Sequence, residues 1–278
     1  MREVRSQAAD ARRPDPTGID AYRPTDIAQR IQRAGVDKVG LPLLSLVTLG
    51  VLAGAFIAFG ALFYLAVLAG GDAAHGGTRL AAGIAFSLGL ILVVVGGAEL
   101  FTGNALIVMA WVDGQVGSAA LLRNWAIVYI ANFAGALAVV ALAVATGLPD
   151  GPIGLLAGGI ARAKLAPGPV ELVASGILCN ALVCLAVWLS FAARDVPGKV
   201  LAIVWPVSAF VALGFEHSVA NMFLLPFGLL AADMPADPMA ALAGLARNLA
   251  WVTLGNGIGG AGGVALAYWA AYRAGARS

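Results

Sequence analysis

Charge is scarce in this chain, and that scarcity settles its class before any motif is read. Asp, Glu, Lys and Arg make up 12% of the 278 residues and apolar types 60%, about half the charged share of a soluble domain. Too little polar surface exists to coat a water-soluble particle of this size, and the mean hydropathy of +0.89 marks a polytopic membrane protein. Cysteine is scarce as well. Cys179 and Cys184 lie five apart in one apolar segment, so on a helix they point in different directions. A disulfide or metal pair is disfavoured, and both read as small buried hydrophobes. Histidine is limited to His75 and His217, which leaves no ligand cluster with metal spacing.

What charge there is has a pattern. Eight of the 17 Lys and Arg fall within residues 1–38 (Arg2, Arg5, Arg12, Arg13, Arg23, Arg30, Arg33 and Lys38). A basic arm ahead of the first span reads as a cytoplasmic retention signal, not as a nucleic-acid surface. The first long apolar run begins near Leu41, too far in for a secretory signal peptide.

Six stretches reach the length of about 20 apolar residues that a span needs: about 41–70, 81–111, 124–147, 171–191, 198–230 and 246–272. An even number puts both termini on one side. With those termini in the cytoplasm, 13 basic residues fall inside and only Arg79, Arg162, Lys164 and Arg247 outside, the favoured orientation. The expected organisation is a cytoplasmic arm over 1–40, a six-span channel domain over 41–272 and a cytoplasmic tail over 273–278. Residues 1–20 read as polar and disordered. After them Pro24–Gly35 carries helix-start residues at Thr25 and Asp26 and a stop at Gly35, with Ile27, Ile31 and Ala34 on one face. An amphipathic helix on the inner membrane surface fits; a merely solvated helix is the alternative, because the apolar face is narrow.

Two of the six stretches are too long for one straight helix, and each holds a polar, glycine-bearing interruption. One reads Gly97-Ala98-Glu99-Leu100-Phe101-Thr102-Gly103-Asn104, the other Gly214-Phe215-Glu216-His217-Ser218-Val219-Ala220-Asn221. Gly, Glu and Asn recur in order at a constant offset of 117 residues. Spans 3 and 6 echo one another too: Arg123-Asn124, Asn132 and Gly135 match Arg247-Asn248, Asn256 and Gly259 at an offset of 124. Spans 1–3 and 4–6 therefore read as two copies of one unit. Three spans per unit turn the second copy upside down, an all-α 3+3 inverted repeat whose site lies where interrupted helices meet near the membrane midplane.

Glu99 and Glu216 are costly at that depth. They either accept hydrogen bonds from backbone N–H groups freed at the breaks or act as proton or cation sites; their symmetric placement and the lack of an evident basic partner favour the first reading. Asn104, Asn221, Asn132 and Asn256 read as ties between broken backbone and neighbouring helices. His217 has no counterpart in the first copy, where Leu100 stands. A lone buried histidine is usually a satisfied core residue, but in a broken span an ionisable group is a functional candidate, with Thr102 supplying a hydroxyl opposite.

These two interruptions, with Met222 after the second, resemble the signatures of the formate/nitrite transporter family. Gly54-Ala55-Phe56-Ile57-Ala58-Phe59-Gly60 resembles that family's first conserved stretch, and Asn180–Trp188 its fourth span. The resemblance covers about residues 20–270. It implies a homopentamer of aquaporin-like protomers in a bacterial cytoplasmic (inner) membrane, with broken helices 2 and 5 and a pore in each protomer for small monovalent anions, formate first and nitrite second. It also implies pore residues His217, Thr102, Lys164, Asn180 and Asn256, with Lys164 attracting anions on the outer side. An apolar constriction maps to Phe86, Leu90, Leu100, Phe101, Val183 and Phe210, and Glu99, Glu216, Asn104 and Asn221 are structural polar positions. No cofactor, metal or nucleic acid is implied. Read on their own, the six apolar residues would be ordinary helix packing and Lys164 a solvated loop lysine.

A charged anion crossing such a ring would lose hydration at a cost of several kcal/mol, which the neutral acid largely avoids. His217 with Thr102 is therefore expected to bind or protonate the anion. An aquaporin-type channel would need Asn-Pro-Ala at both breaks, and the chain has Thr102-Gly103-Asn104 and Val219-Ala220-Asn221. Within the family, nitrite, hydrosulfide, lactate or acetate are the alternatives to formate. From a different class, an intramembrane metal-dependent enzyme would need a nucleophile–base pair or a metal cluster. His217 with Glu99 and Glu216 could in principle serve a metal, but the other histidine, His75, lies in an outer loop and no ligand spacing recurs.

Overall fold

The computed structural model describes residues 18–231 and 238–273. Residues 1–17, 232–237 and 274–278 lie outside the described residues, and with them the expected disordered arm, its Arg2, Arg5, Arg12 and Arg13, and Arg277 of the tail. Helix α1 (Pro24–Val39) begins with proline and carries Asp26 in its first turn, both favourable at a helix start. α2 (Leu43–Ala69) and α3 (Gly76–Gly96) follow. The chain then leaves helical geometry and resumes as a 3-10 segment (Gly103–Ile107) running into α4 (Val108–Val112). α5 (Ser118–Ala145) completes the first half.

The second half repeats the order: α6 (Pro152–Leu165), α7 (Pro169–Ala192), α8 (Val196–Leu213), a break, and α9 (Ser218–Ala231). The last long helix starts as α10 (Pro238–Gly257), widens into a π-helical stretch (Ile258–Leu266) and ends as α11 (Ala267–Tyr272). Among the described residues there is no strand, and six helices are long and apolar enough to cross a membrane. The fold is all-helical with six spans, as the composition requires.

Both breaks open in the same way. Gly97 (φ +83°) and Gly214 (φ +76°) take positive φ, which glycine alone adopts without strain. Their equivalence at the 117-residue offset means that one backbone device ends both half-helices. The fold also differs from expectation at two helices. α6 stands where a loop was expected between spans 3 and 4; its 14 residues are too few to register as a span. α1 does not lie free on the membrane surface. Ile27, Ala28, Ile31, Gln32 and Gly35 are buried, packed with Ile107, Met109 and Trp188, so the buried face takes in Ala28, Gln32 and Gly35, which hydrophobicity alone does not mark.

In a bilayer, helices gain nothing by hiding apolar side chains from lipid, so close backbone approach through small residues carries the association. α2 and α5 show this. A β-carbon at Gly54 would run into the Asn132 carbonyl, and one at Gly135 into that of Val51. Gly54→Ala and Gly135→Ala should each destabilise the detergent-solubilised protein by about 1–3 kcal/mol, the usual cost of overpacking. Gly159→Ala, where a β-carbon meets nothing within 4 Å, should not lower the melting temperature; equal melting of all three variants would overturn this account of the α2–α5 contact.

Candidate functional site

Where a span breaks inside a membrane, the freed N–H and C=O groups must find partners within the protein. Asn132 of α5 serves the first break. Its Nδ2 donates to the carbonyls of Gly50 (2.7 Å) and Glu99 (2.9 Å), and its Oδ1 accepts the Phe101 N–H (2.9 Å). Asn256 of α10 serves the second in the same manner: Nδ2 donates to Gly176 (2.8 Å) and Glu216 (2.9 Å), and Oδ1 accepts the Ser218 N–H (2.8 Å). With both amide hydrogens and the carbonyl engaged, Asn256 is a backbone anchor and has no donor left for a pore solute. Asn180, grouped with it above, also serves the backbone, donating to the Thr102 and Asn256 carbonyls at 3.2 and 2.7 Å.

The glutamates are held as a matched pair. Lys38 Nζ lies 2.5 Å from Glu99 Oε1, and Lys164 Nζ 3.0 Å from Glu216 Oε1. Asn104 Nδ2 donates to Glu99 Oε2 (2.8 Å) and to Asn124 Oδ1 (2.9 Å); Asn221 Nδ2 donates to Glu216 Oε2 (2.6 Å) and to Asn248 Oδ1 (2.9 Å). Asn124 and Asn248 close each loop by donating to the carbonyls of Lys38 and Lys164. The carboxylates of Glu99 and Glu216 accept from these lysine and asparagine side chains and not from the freed backbone N–H groups as expected, since the N–H groups of Phe101 and Ser218 go to Asn132 and Asn256. The expectation that they lack a basic partner is corrected, because each carboxylate has a lysine brought in from a distant helix end. Sequence reading missed Lys38, Asn124 and Asn248 as site residues. A signal existed: Lys38 and Lys164 each precede by five residues the first residue of a long apolar helix.

The two breaks meet at one contact. His217 lies just before α9, and its Nδ1 accepts the Ala220 N–H at 3.1 Å, capping that helix. A ring nitrogen that accepts carries no hydrogen, so the neutral ring bears its hydrogen on Nε2. Nε2 lies 2.9 Å from Thr102 Oγ1 and donates to it, which leaves the threonine hydroxyl hydrogen free to point elsewhere. Both side chains are buried, His217 at 3% exposure and Thr102 at 0%.

Two cavities flank this contact. One, about 460 Å³, is lined by Arg30, Lys38, Leu90, Glu99, Leu100 and Lys199 among others. The other, about 320 Å³, is lined by Tyr64, Phe86, Lys164, Phe210, Glu216 and His217 among others. They lie at opposite ends of the same helices: α2 offers Leu49 to the first and Tyr64 to the second, and α8 offers Lys199 and Phe210. Phe86 and Leu90 are one turn apart on α3 yet face different cavities, so the partition between them is about 5–6 Å thick there.

That partition is apolar. Phe86, Leu90, Leu100, Val183 and Phe210 are all buried in one core, the Phe86 ring meets Phe210 edge-on at 5.8 Å, and Phe210 stacks beside His217 at 5.9 Å. Phe101, counted with the constriction above, packs edge-on against Tyr129 (4.9 Å) and Trp125 (6.1 Å) of α5. Among the described residues no group of three or more His, Cys, Asp or Glu gathers as metal ligands do.

The family model described as Formate/nitrite transporter matches residues 25–270. The chain belongs to the formate/nitrite transporter family. It is 39% identical over 272 residues to the formate channel FocA of Escherichia coli (strain K12), an alignment covering 91% of this chain and 95% of that one. A solved structure described as an FNT family ion channel superposes with a TM-score of 0.81 at 30% identity, covering 89% of this chain and 99% of that one. Another, described as a pentameric formate channel with formate bound, gives a TM-score of 0.72 at 36% identity over 83% and 97%. This member of the formate/nitrite transporter family is thus a multi-pass membrane transport protein and not an enzyme.

The near-identity of the two anchoring sets makes them comparable by mutation. Asn132→Ala and Asn256→Ala should each cost several kcal/mol, since every buried group left unpaired costs about 1–3 kcal/mol. Thermal melts in detergent should show similar losses for the two; a loss confined to one would show that the sets are not equivalent in energy.

Proposed function

We propose that this protein is a channel for the small monovalent anions of weak acids, formate first and nitrite second, which pass through each protomer's own pore across the partition at His217 and Thr102. The observation that carries the reading is the Thr102–His217 hydrogen bond joining the two broken helices, set between two cavities and walled by apolar side chains. In the neutral ring, Nε2–H donates to Thr102 and the threonine hydroxyl hydrogen turns to an anion oxygen. The pair thus presents an anion with a donor in surroundings that offer few others. Charging the ring would set an Nδ1–H against the Ala220 N–H, so binding through Thr102 is the better supported role and proton delivery requires the cap to open. Across the Phe86–Phe210 and Leu90–Leu100 wall the solute travels as the neutral acid or as a His217-paired anion, because a bare anion finds no replacement for its hydration.

Family membership supports a homopentamer in the bacterial inner membrane, and the excess of basic residues supports cytoplasmic termini. The His217 cavity then faces out and the Lys38 cavity faces in. The domain division of 1–40, 41–272 and 273–278 is kept in altered form. Residues 18–40 are part of the packed body, and Arg273 is tied to Asp113 at 3.3 Å.

Uptake of labelled formate into proteoliposomes tests this, with nitrite and lactate as competitors at two pH values. Influx should rise as pH falls, and His217→Asn should lower it about tenfold or more, the worth of a hydrogen bond to a charged acceptor. Thr102→Val should lower it comparably. A His217→Asn profile that matches the unaltered protein would remove the histidine from the mechanism, and absence of flux for every monoanion would remove the function.

A further inference from the structure

An attracting charge works at a distance only if nothing nearby cancels it. Lys164 lines the His217 cavity but stands 3.0 Å from Glu216, so the pair presents a dipole whose field fades faster with distance than that of a lone charge. Glu171, on the same side, has Oε2 accepting the Gly168 N–H. Arg79 is different. It sits in the first turn of α3 and is exposed, and among the described residues it pairs with no carboxylate. Its guanidinium borders Gly214, lying 3.9 Å from where a β-carbon there would stand. Gly214 lines the cavity, as does Tyr64, on which Arg79 also acts electrostatically.

The Lys38 cavity repeats the pattern. Its lining holds Arg30, Lys38 and Lys199 against Asp37 and Glu99, three cations against two carboxylates. Lys38 is paired with Glu99 at 2.5 Å; the Arg30 guanidinium, stacked on the Tyr22 ring at 4.0 Å, keeps its charge, which the Asp37 carboxylate in the same lining offsets in the count. Lys199, in the first turn of α8, has no ion pair among the described residues.

We propose that Arg79 supplies the net positive charge that draws monoanions to the His217 cavity and Lys199 does the same at the opposite cavity, while Lys164 and Lys38 hold the glutamates of the broken helices. This rests on the monoanion reading above and reassigns the attracting role within it. One exposed charge at such a rim changes local anion concentration by about threefold at low salt. The effect is screened away when the Debye length falls from about 30 Å at 0.01 M to a few Å near 0.5 M.

The test is initial influx of labelled formate at tracer concentration into right-side-out and inside-out membrane vesicles, each at both salt concentrations. Arg79→Gln should lower influx about threefold at low salt in one vesicle orientation and not at high salt, with Arg79→Lys keeping the unaltered rate. Lys199→Gln should do the same in the opposite orientation. Lys164→Gln should lower influx alike at both salts and lower the melting temperature in detergent. A salt-independent loss in Arg79→Gln, no loss there, or a salt-dependent loss in Lys164→Gln without change in melting would overturn the assignment. Absence of formate influx by the unaltered protein would overturn the monoanion reading instead, a result distinct from flux that persists but ignores Arg79.

Discussion

Everything in this fold answers to one constraint: a helix that breaks inside a bilayer exposes N–H and C=O groups that no water can satisfy. Two spans break here, and each break is closed by one asparagine that bridges two carbonyls and one N–H. A carboxylate beyond each anchor is neutralised by a lysine from the end of a short packed helix. With these partners, irregular backbone becomes a fixed platform on which His217 and Thr102 meet.

The matched networks also explain why the short helices exist. α1 and α6 do not span the membrane, yet each delivers a lysine beside a glutamate and a carbonyl to an asparagine. That calls for a rigid approach to the break, so both helices are packed: Ile27 and Ile31 of α1 into the cluster around Ile107 and Met109, Ala157 and Ala161 of α6 against Gly228 of α9. Symmetry holds for Gly, Glu and Asn but not between them: where the first copy has Leu100 and Thr102, the second has His217 and Val219, and the two breaks touch through the unmatched pair Thr102 and His217.

Charge is arranged by the same economy of partners. The two lysines nearest the breaks are paired with carboxylates, while Lys199 in the lining of one cavity and Arg79 beside Gly214 of the other have no ion pair among the described residues. Structural ion pairing and long-range attraction make opposite demands on a cation, since the first needs a close counter-charge and the second needs none.

Residue order alone determined the membrane class, the six spans, the two breaks and the kinship of the halves, because hydropathy and recurring Gly, Glu and Asn are local signals read along one strand of text. It also singled out His217 and Thr102 as candidates, since polar residues in apolar spans are costly enough to stand out. It did not disclose α6, too short to read as a span, nor the seat of α1, whose buried face includes Ala28, Gln32 and Gly35. The partners of Glu99 and Glu216 were invisible for a plainer reason: Lys38 and Lys164 lie 61 and 52 residues away along the chain. Only folding brings those charges within 3.0 Å or less of their carboxylates, and a distance between remote residues is written in no sequence interval.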